Sequence, residues 1–161
     1  MTSDCIDQTS IIRYLTDTFE GVDFVVASQE AGSPEIAWGD TFFFYNPRDV
    51  DPDHMFPFAT IVTKDYGDFD SSSQLNRPGV FRLNIGLDKK LYQSMFGASR
   101  EVAISYDFAA LDEIMPHPVY ARQYWVCVLN PSAETFEAAR PLLAAAYALA
   151  VSKRTRGGAG A

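Results

Sequence analysis

Residues 75–86 read LNRPGVFRLNIG, and the fold turns on how the second half alternates. Asn-Arg-Pro-Gly breaks the chain, and VFRLNIG (80–86) then reads as a strand. Successive side chains of a strand point to opposite faces. Phe81, Leu83 and Ile85 therefore share one face, and Val80, Arg82 and Asn84 share the other. The first set calls for a hydrophobic core. The second puts a guanidinium and an amide on the reverse of the same sheet. A sheet with one apolar face on helices and one mixed face is the antiparallel pattern.

The rest of the chain extends this picture. Residues 22–28 (VDFVVAS), 41–46 (TFFFYN), 58–65 (FATIVTKD) and 123–130 (QYWVCVLN) read as further strands. In 58–65 one face holds Phe58, Thr60, Val62 and Lys64. In 123–130, Tyr124, Val126 and Val128 alternate with Gln123, Trp125, Cys127 and Leu129. A first helix, capped by Ser3 or Asp4, carries Ile6, Ile12, Leu15 and Phe19 and ends at Gly21. Asp88 caps KKLYQSMF, which Gly97 closes. Asp107 caps FAALDEIM as another helix, ended by Pro116. Ser132 caps the C-terminal helical region, whose face is Leu142, Leu143, Ala146, Tyr147 and Ala150. Pro141 within it predicts a kink or two helices. No βαβ alternation and no repeat is present. The fold class is α+β: a mostly antiparallel sheet with helices packed on one face. One domain over residues 1–154 and a flexible tail, 155–161, are expected.

The composition narrows the function. The chain has 161 residues, 47% hydrophobic and 14% aromatic, enough for a real core. Its net charge of -8 argues against nucleic acid and anionic membranes as partners over most of the surface. MTSDCIDQTS lacks the cationic and apolar regions of a signal peptide, and no apolar run is long enough to span a bilayer, so a cytoplasmic protein is expected. Cys5 and Cys127 read as free thiols, Cys127 buried within YWVCVL.

Most familiar chemistries lack their motif. There is no C-x-x-C, no H-E-x-x-H and no phosphate-cradling glycine loop. Asp49, Asp51 and Asp53 start like a calcium loop, but His54 and Thr60 stand where glycine and glutamate are needed. No metal site and no cofactor is called for. Acid–base work has a better candidate. His117 titrates near neutral pH and is held between two prolines in MPHPVY. Asp40, in AWGD, is a second possible proton carrier. A dyad of Cys127 with His117 is the weaker nucleophilic option.

Two long connections, 47–57 and 66–79, flank the mixed sheet face, and long ordered loops often carry function. A site there has Arg77 and Arg82 to bind an anion and Asn84 to orient it, with Trp38, Tyr120 and Trp125 as walls. The bland alternatives stay open. Arg82 can simply pair with a loop carboxylate such as Asp68 or Asp70. His117 can be a turn histidine bonded to backbone, and Trp38 a plug over the sheet edge.

WGDTFFFYNP, FATIVTKDYGDFDSSSQLNRPGVFRLNIG, YDFAALDEIMPHPVYARQYWVCVLNPS and RPLLAAAYALAV resemble one bacterial family over nearly the whole chain, about 11–154. That family is catalogued only as a domain of unknown function (DUF6194-like), so the resemblance implies no reaction. The Trp-Val strand before a closing helix is more loosely similar to YjbR-like domains. That likeness implies a frataxin-like two-layer fold and suggests DNA binding, although no DNA-reading motif matches.

The expected function is a cytoplasmic small-molecule-binding domain for an anionic or aromatic metabolite, with an enzyme acting on such a ligand left open. On this expectation Arg82→Ala removes binding and spares the fold; a purely structural Arg82 would unfold the protein instead. The other class is a macromolecular interaction module without catalysis, binding DNA in the YjbR-like manner, a protein, or a second copy of the chain as a homodimer.

Overall fold

The structure, a computed structural model, describes residues 5–48, 55–97 and 106–159, with side chains to 154. Helix α1 (Gln8–Thr18) leads into strands β1 (Val22–Val26), β2 (Thr41–Tyr45), β3 (Ala59–Val62) and β4 (Arg82–Gly86). Helix α2 (Lys89–Phe96), strands β5 (Met115–Pro116) and β6 (Trp125–Leu129), and helix α3 (Ala133–Ala159) follow. The strands form one sheet in the order β1-β2-β3-β4-β6-β5, every neighbouring pair antiparallel. The fold is α+β.

Alternation sorts the sheet as the residues of β4 demand. Phe43, Ala59, Ile61, Leu83, Ile85, Val126 and Val128 lie in the main core with Ile11 and Leu15 of α1, Tyr92 of α2, and Phe136, Ala139, Leu142, Leu143 and Ala146 of α3. Burial of these side chains is the dominant favourable term in such a fold, about 1.5–3 kcal/mol for each large one. The opposite face carries Thr60, Asn84 and Cys127 in register on β3, β4 and β6, and beside them Val62, Arg82 and Leu129.

The caps explain the helix starts. Asp88 accepts the Leu91 N–H at 2.8 Å, and Ser132 Oγ accepts the Thr135 N–H at 3.2 Å. Two expectations are corrected and a third is narrowed. The cap of α1 is Asp7, which takes the Ser10 N–H at 2.8 Å; Ser3 and Asp4 lie outside the described residues. The helix expected after Asp107 is a turn. Asp107 folds back onto the Ala109 N–H at 3.0 Å, and Asp112 adopts φ 63° with its N–H on the Leu129 carbonyl. Met115 and Pro116 then pair with β6 as β5. Of the two outcomes expected at Pro141, division into two helices does not occur: α3 is continuous and helical in its backbone as far as Ala159.

Candidate functional site

The reverse face of the sheet is covered, and Arg82 is the reason. Its backbone belongs to the centre of the sheet, so its side chain stands among strands and lies 1% exposed. A guanidinium in such a place needs all its donors met. Nε donates to Asn84 Oδ1 at 2.8 Å. Nη1 donates to Asp70 Oδ1 at 3.0 Å and Ser73 Oγ at 2.9 Å, and Nη2 to Asp70 Oδ2 at 2.5 Å. Asn84 in turn donates to Thr60 Oγ1 at 2.9 Å. Of the two loop acids considered from the sequence, Asp70 is the partner.

His117 closes the cluster from the β5 side, 2% exposed. Its Nδ1 accepts the N–H groups of Val119 and Tyr120, each at 3.0 Å. A neutral imidazole has one bare nitrogen. The two amides point at Nδ1, and Nε2 lies 3.2 Å from Arg82 Nη2, so donor groups meet the ring on both of its nitrogens. Burial first, and the Arg82 charge second, hold the His117 pKa well below its ordinary value. The ring is neutral and fixed by backbone. Tyr120 packs on it, ring centres 5.0 Å apart, with exposed Phe69 at 6.1 Å from Tyr120.

Asp40 joins the same layer indirectly. It is fully buried and accepts the Thr63 N–H at 2.8 Å, the Thr63 hydroxyl at 2.9 Å and the Tyr66 hydroxyl. Tyr66 and Asp70 close one turn through paired backbone bonds of 3.0 and 3.3 Å. That turn is thus tied to the sheet twice, by Asp40 at one end and Arg82 at the other. Burial and then the Asp40 bond push the Tyr66 phenol far up.

The remaining expected residues are dispersed. Arg77 donates from Nε to the Gln74 carbonyl at 2.8 Å and from Nη2 to the Ser73 and Ala109 carbonyls at 3.0 Å, fastening the loop to the 106–114 segment. Trp38 donates to the Ser33 carbonyl at 2.9 Å and closes its own loop, and the residue is 37% exposed. Cys127 is buried beside Pro116, and burial pushes its thiol up to about 12, which removes it as a nucleophile near neutral pH. Asp49, Asp51, Asp53 and His54 lie outside the described residues, and among the described ones no acidic, histidine or cysteine cluster could hold a metal.

Trp125 opens on a different site. Its indole lies across Gly86, where a Cβ would come within 2.9 Å of the six-membered ring. The strand ends there, at Tyr45, Phe58, Gly86 and Trp125, together with the last described turns of α3, leave a cleft of about 990 Å³. Aromatic and aliphatic walls come from Tyr45, Phe58, Leu87, Trp125, Ala146 and Leu149, and cations from Arg48, Lys153 and Arg154. None of these three is in an ion pair among the described residues. Their sequence contexts, YNPR and VSKR, carry no motif. The lining is drawn from five separated stretches, so no local signal marks it.

Fold and cleft together define a small antiparallel α+β domain with a closed polar layer on one sheet face and an open, cationic cleft at one sheet end. The chain belongs to the family described as Family of unknown function (DUF6194), which matches residues 6–159. No curated protein matches the chain. No solved structure does either.

Proposed function

We propose that the protein binds a small organic anion in the cleft at the end of the sheet. One observation carries the reading. In a chain of net charge -8, Arg48, Lys153 and Arg154 converge on an aromatic-walled cleft whose described lining has no acidic side chain. Ligand sites combine apolar walls with a few charged groups, and guanidinium groups fit carboxylate and phosphate oxygens. The ligand class is the one expected from the sequence. The site moves from the reverse sheet face, where Arg82 bonds Asn84 and Asp70 and His117 is bonded to backbone, to the sheet end, where Trp125 is the expected residue that remains.

The reading is of binding. His117 and Asp40, the candidate proton carriers, do not line the cleft. A cytoplasmic setting is part of the proposal; among the described residues no helix is long and apolar enough to cross a membrane. The YjbR-like likeness would instead put DNA against the same cations.

A thermal-shift panel of aromatic acids, nucleotides, inorganic phosphate and a short DNA duplex tests this. Ligand linkage predicts a rise of a few degrees at about a hundredfold excess over Kd. The rise is expected with small anions and is expected to vanish in the Lys153→Ala/Arg154→Ala double variant. A shift with DNA alone would transfer the cleft to a macromolecular partner. A rise that survives the double variant, or none with any anion, would sink the proposal.

A further inference from the structure

Phe56 is 95% exposed and stands on the rim of the cleft, between Met55 and Pro57, which also line it. It is the most exposed of the large apolar side chains described, and the one among the exposed group that borders the cleft. A phenylalanine left in water forgoes one of the larger favourable terms available to a side chain. Here the ring stands beside a concave surface that already holds a flat aromatic wall. Trp125 is half-buried, and it lies flat because Gly86 has no side chain to lift it. Among the described lining residues the charge is of one sign, from Arg48, Lys153 and Arg154.

We infer that the ligand is amphipathic: a carboxylate, sulfonate or phosphate head held by the three cations, and a flat apolar body that Phe56 covers against Trp125. This rests on the cleft being the binding site. It adds that Phe56 is a specificity residue, selecting for the apolar body. An anion with a head alone engages the cations and leaves Phe56 in water. An anion with a planar body removes both Phe56 and part of the indole from water, and gains affinity in proportion to the area covered. The shared head chemistry has a second source, because exposed aromatic rings beside cations also suit an anionic lipid surface. The concavity favours a free molecule, since a bilayer meets a protrusion better than a cleft.

The experiment is a fluorescence titration with anilinonaphthalene sulfonate, an aromatic anion that brightens on leaving water, on wild type, Phe56→Ser and Lys153→Ala/Arg154→Ala. Because Phe56 touches so little, Phe56→Ser should keep the wild-type Tm. Saturable binding by wild type is expected, weakened roughly tenfold to a hundredfold by Phe56→Ser. Inorganic phosphate, the head-only probe, should compete equally well in both. Dye binding that needs the cations and ignores Phe56→Ser would overturn the inference and leave the cleft reading standing. Dye binding indifferent to both variants, or absent, would overturn both. Phe56-dependent association with phosphatidylglycerol vesicles, without saturable dye binding, would reassign the rim to a membrane surface.

Discussion

Arg82 gives four of its five N–H groups to protein oxygens, and this decides what its removal does. Arg82→Ala would leave the Asp70 carboxylate against the sheet with its guanidinium gone, and Ser73, Asn84 and His117 without a shared neighbour. Breaking a buried pair from one side costs about 3–5 kcal/mol. For a chain of this size that is a fall in Tm of roughly 6–20 °C. Adding Asp70→Asn should restore part of it, because the stranded charge is removed. Equal melting of Arg82→Ala and wild type would show the pair to be dispensable. The outward turn of Arg82 and Asn84 is legible in the alternation of VFRLNIG. Their use of each other is not. A guanidinium waiting for a ligand and one answered by a loop acid have the same local sequence, and the answer lies twelve residues upstream, in a loop whose path no periodicity fixes.

His117 supplies a pH signature at the same scale. Its folded pKa is depressed, by burial foremost and by Arg82, below the ordinary 6.5. The unfolded ring gains a proton below that pH and the folded ring does not. Stability is therefore full above about pH 6.5 and is lost as pH falls below it, by up to about 1.4 kcal/mol per pH unit. Asp7 and Asp112, both lowered from 3.8, add their losses only at more acidic pH. Tm measured from pH 7.5 to about 5 in a His54→Gln background should fall, and His117→Gln should flatten the slope. An unchanged slope in the variant would mean that the ring charges in the folded protein.

Among the elements, the sheet was readable and the segment before β5 was not. Each main strand has an apolar side long enough to show its period. Residues 108–115 also have helical spacing, but Asp107 and Asp112 turn the backbone aside by taking the Ala109 and Ser132 N–H groups. A capping aspartate and an aspartate that closes a turn look alike in sequence. The cleft was illegible for a different reason: it is made of strand ends, and its cations sit on opposite halves of the chain. Gly86 is where element and site meet. Gly86→Ala would drive a methyl to 2.9 Å from the Trp125 ring, closer than contact allows. Displacing the indole should cost about 1–3 kcal/mol, and should change the Trp125 emission in a Trp38→Phe background. Unchanged emission and Tm would show that the indole moves aside freely.

At the scale of the whole molecule, an open sheet must protect its two edges, since an unpaired strand invites another chain. One edge is β5, two residues long and ending in Pro116, which has no N–H to offer. The other is β1, longer and carrying exposed Phe24 and Val26. Its protection is chemical. Asp23 Oδ1 accepts the Phe24 N–H at 2.9 Å, the place an incoming strand would use, and Oδ2 accepts from Asn46 at 3.2 Å. An in-strand carboxylate also repels a second copy of itself. Asp23→Val would free that N–H, remove the charge and extend the apolar run to VVFVV, a good strand former on an open edge. The variant should elute as concentration-dependent dimers or larger species by size exclusion with light scattering, while wild type does not associate through β1. A monomeric Asp23→Val at high concentration would show that the twist of β1, and not its carboxylate, keeps the edge apart.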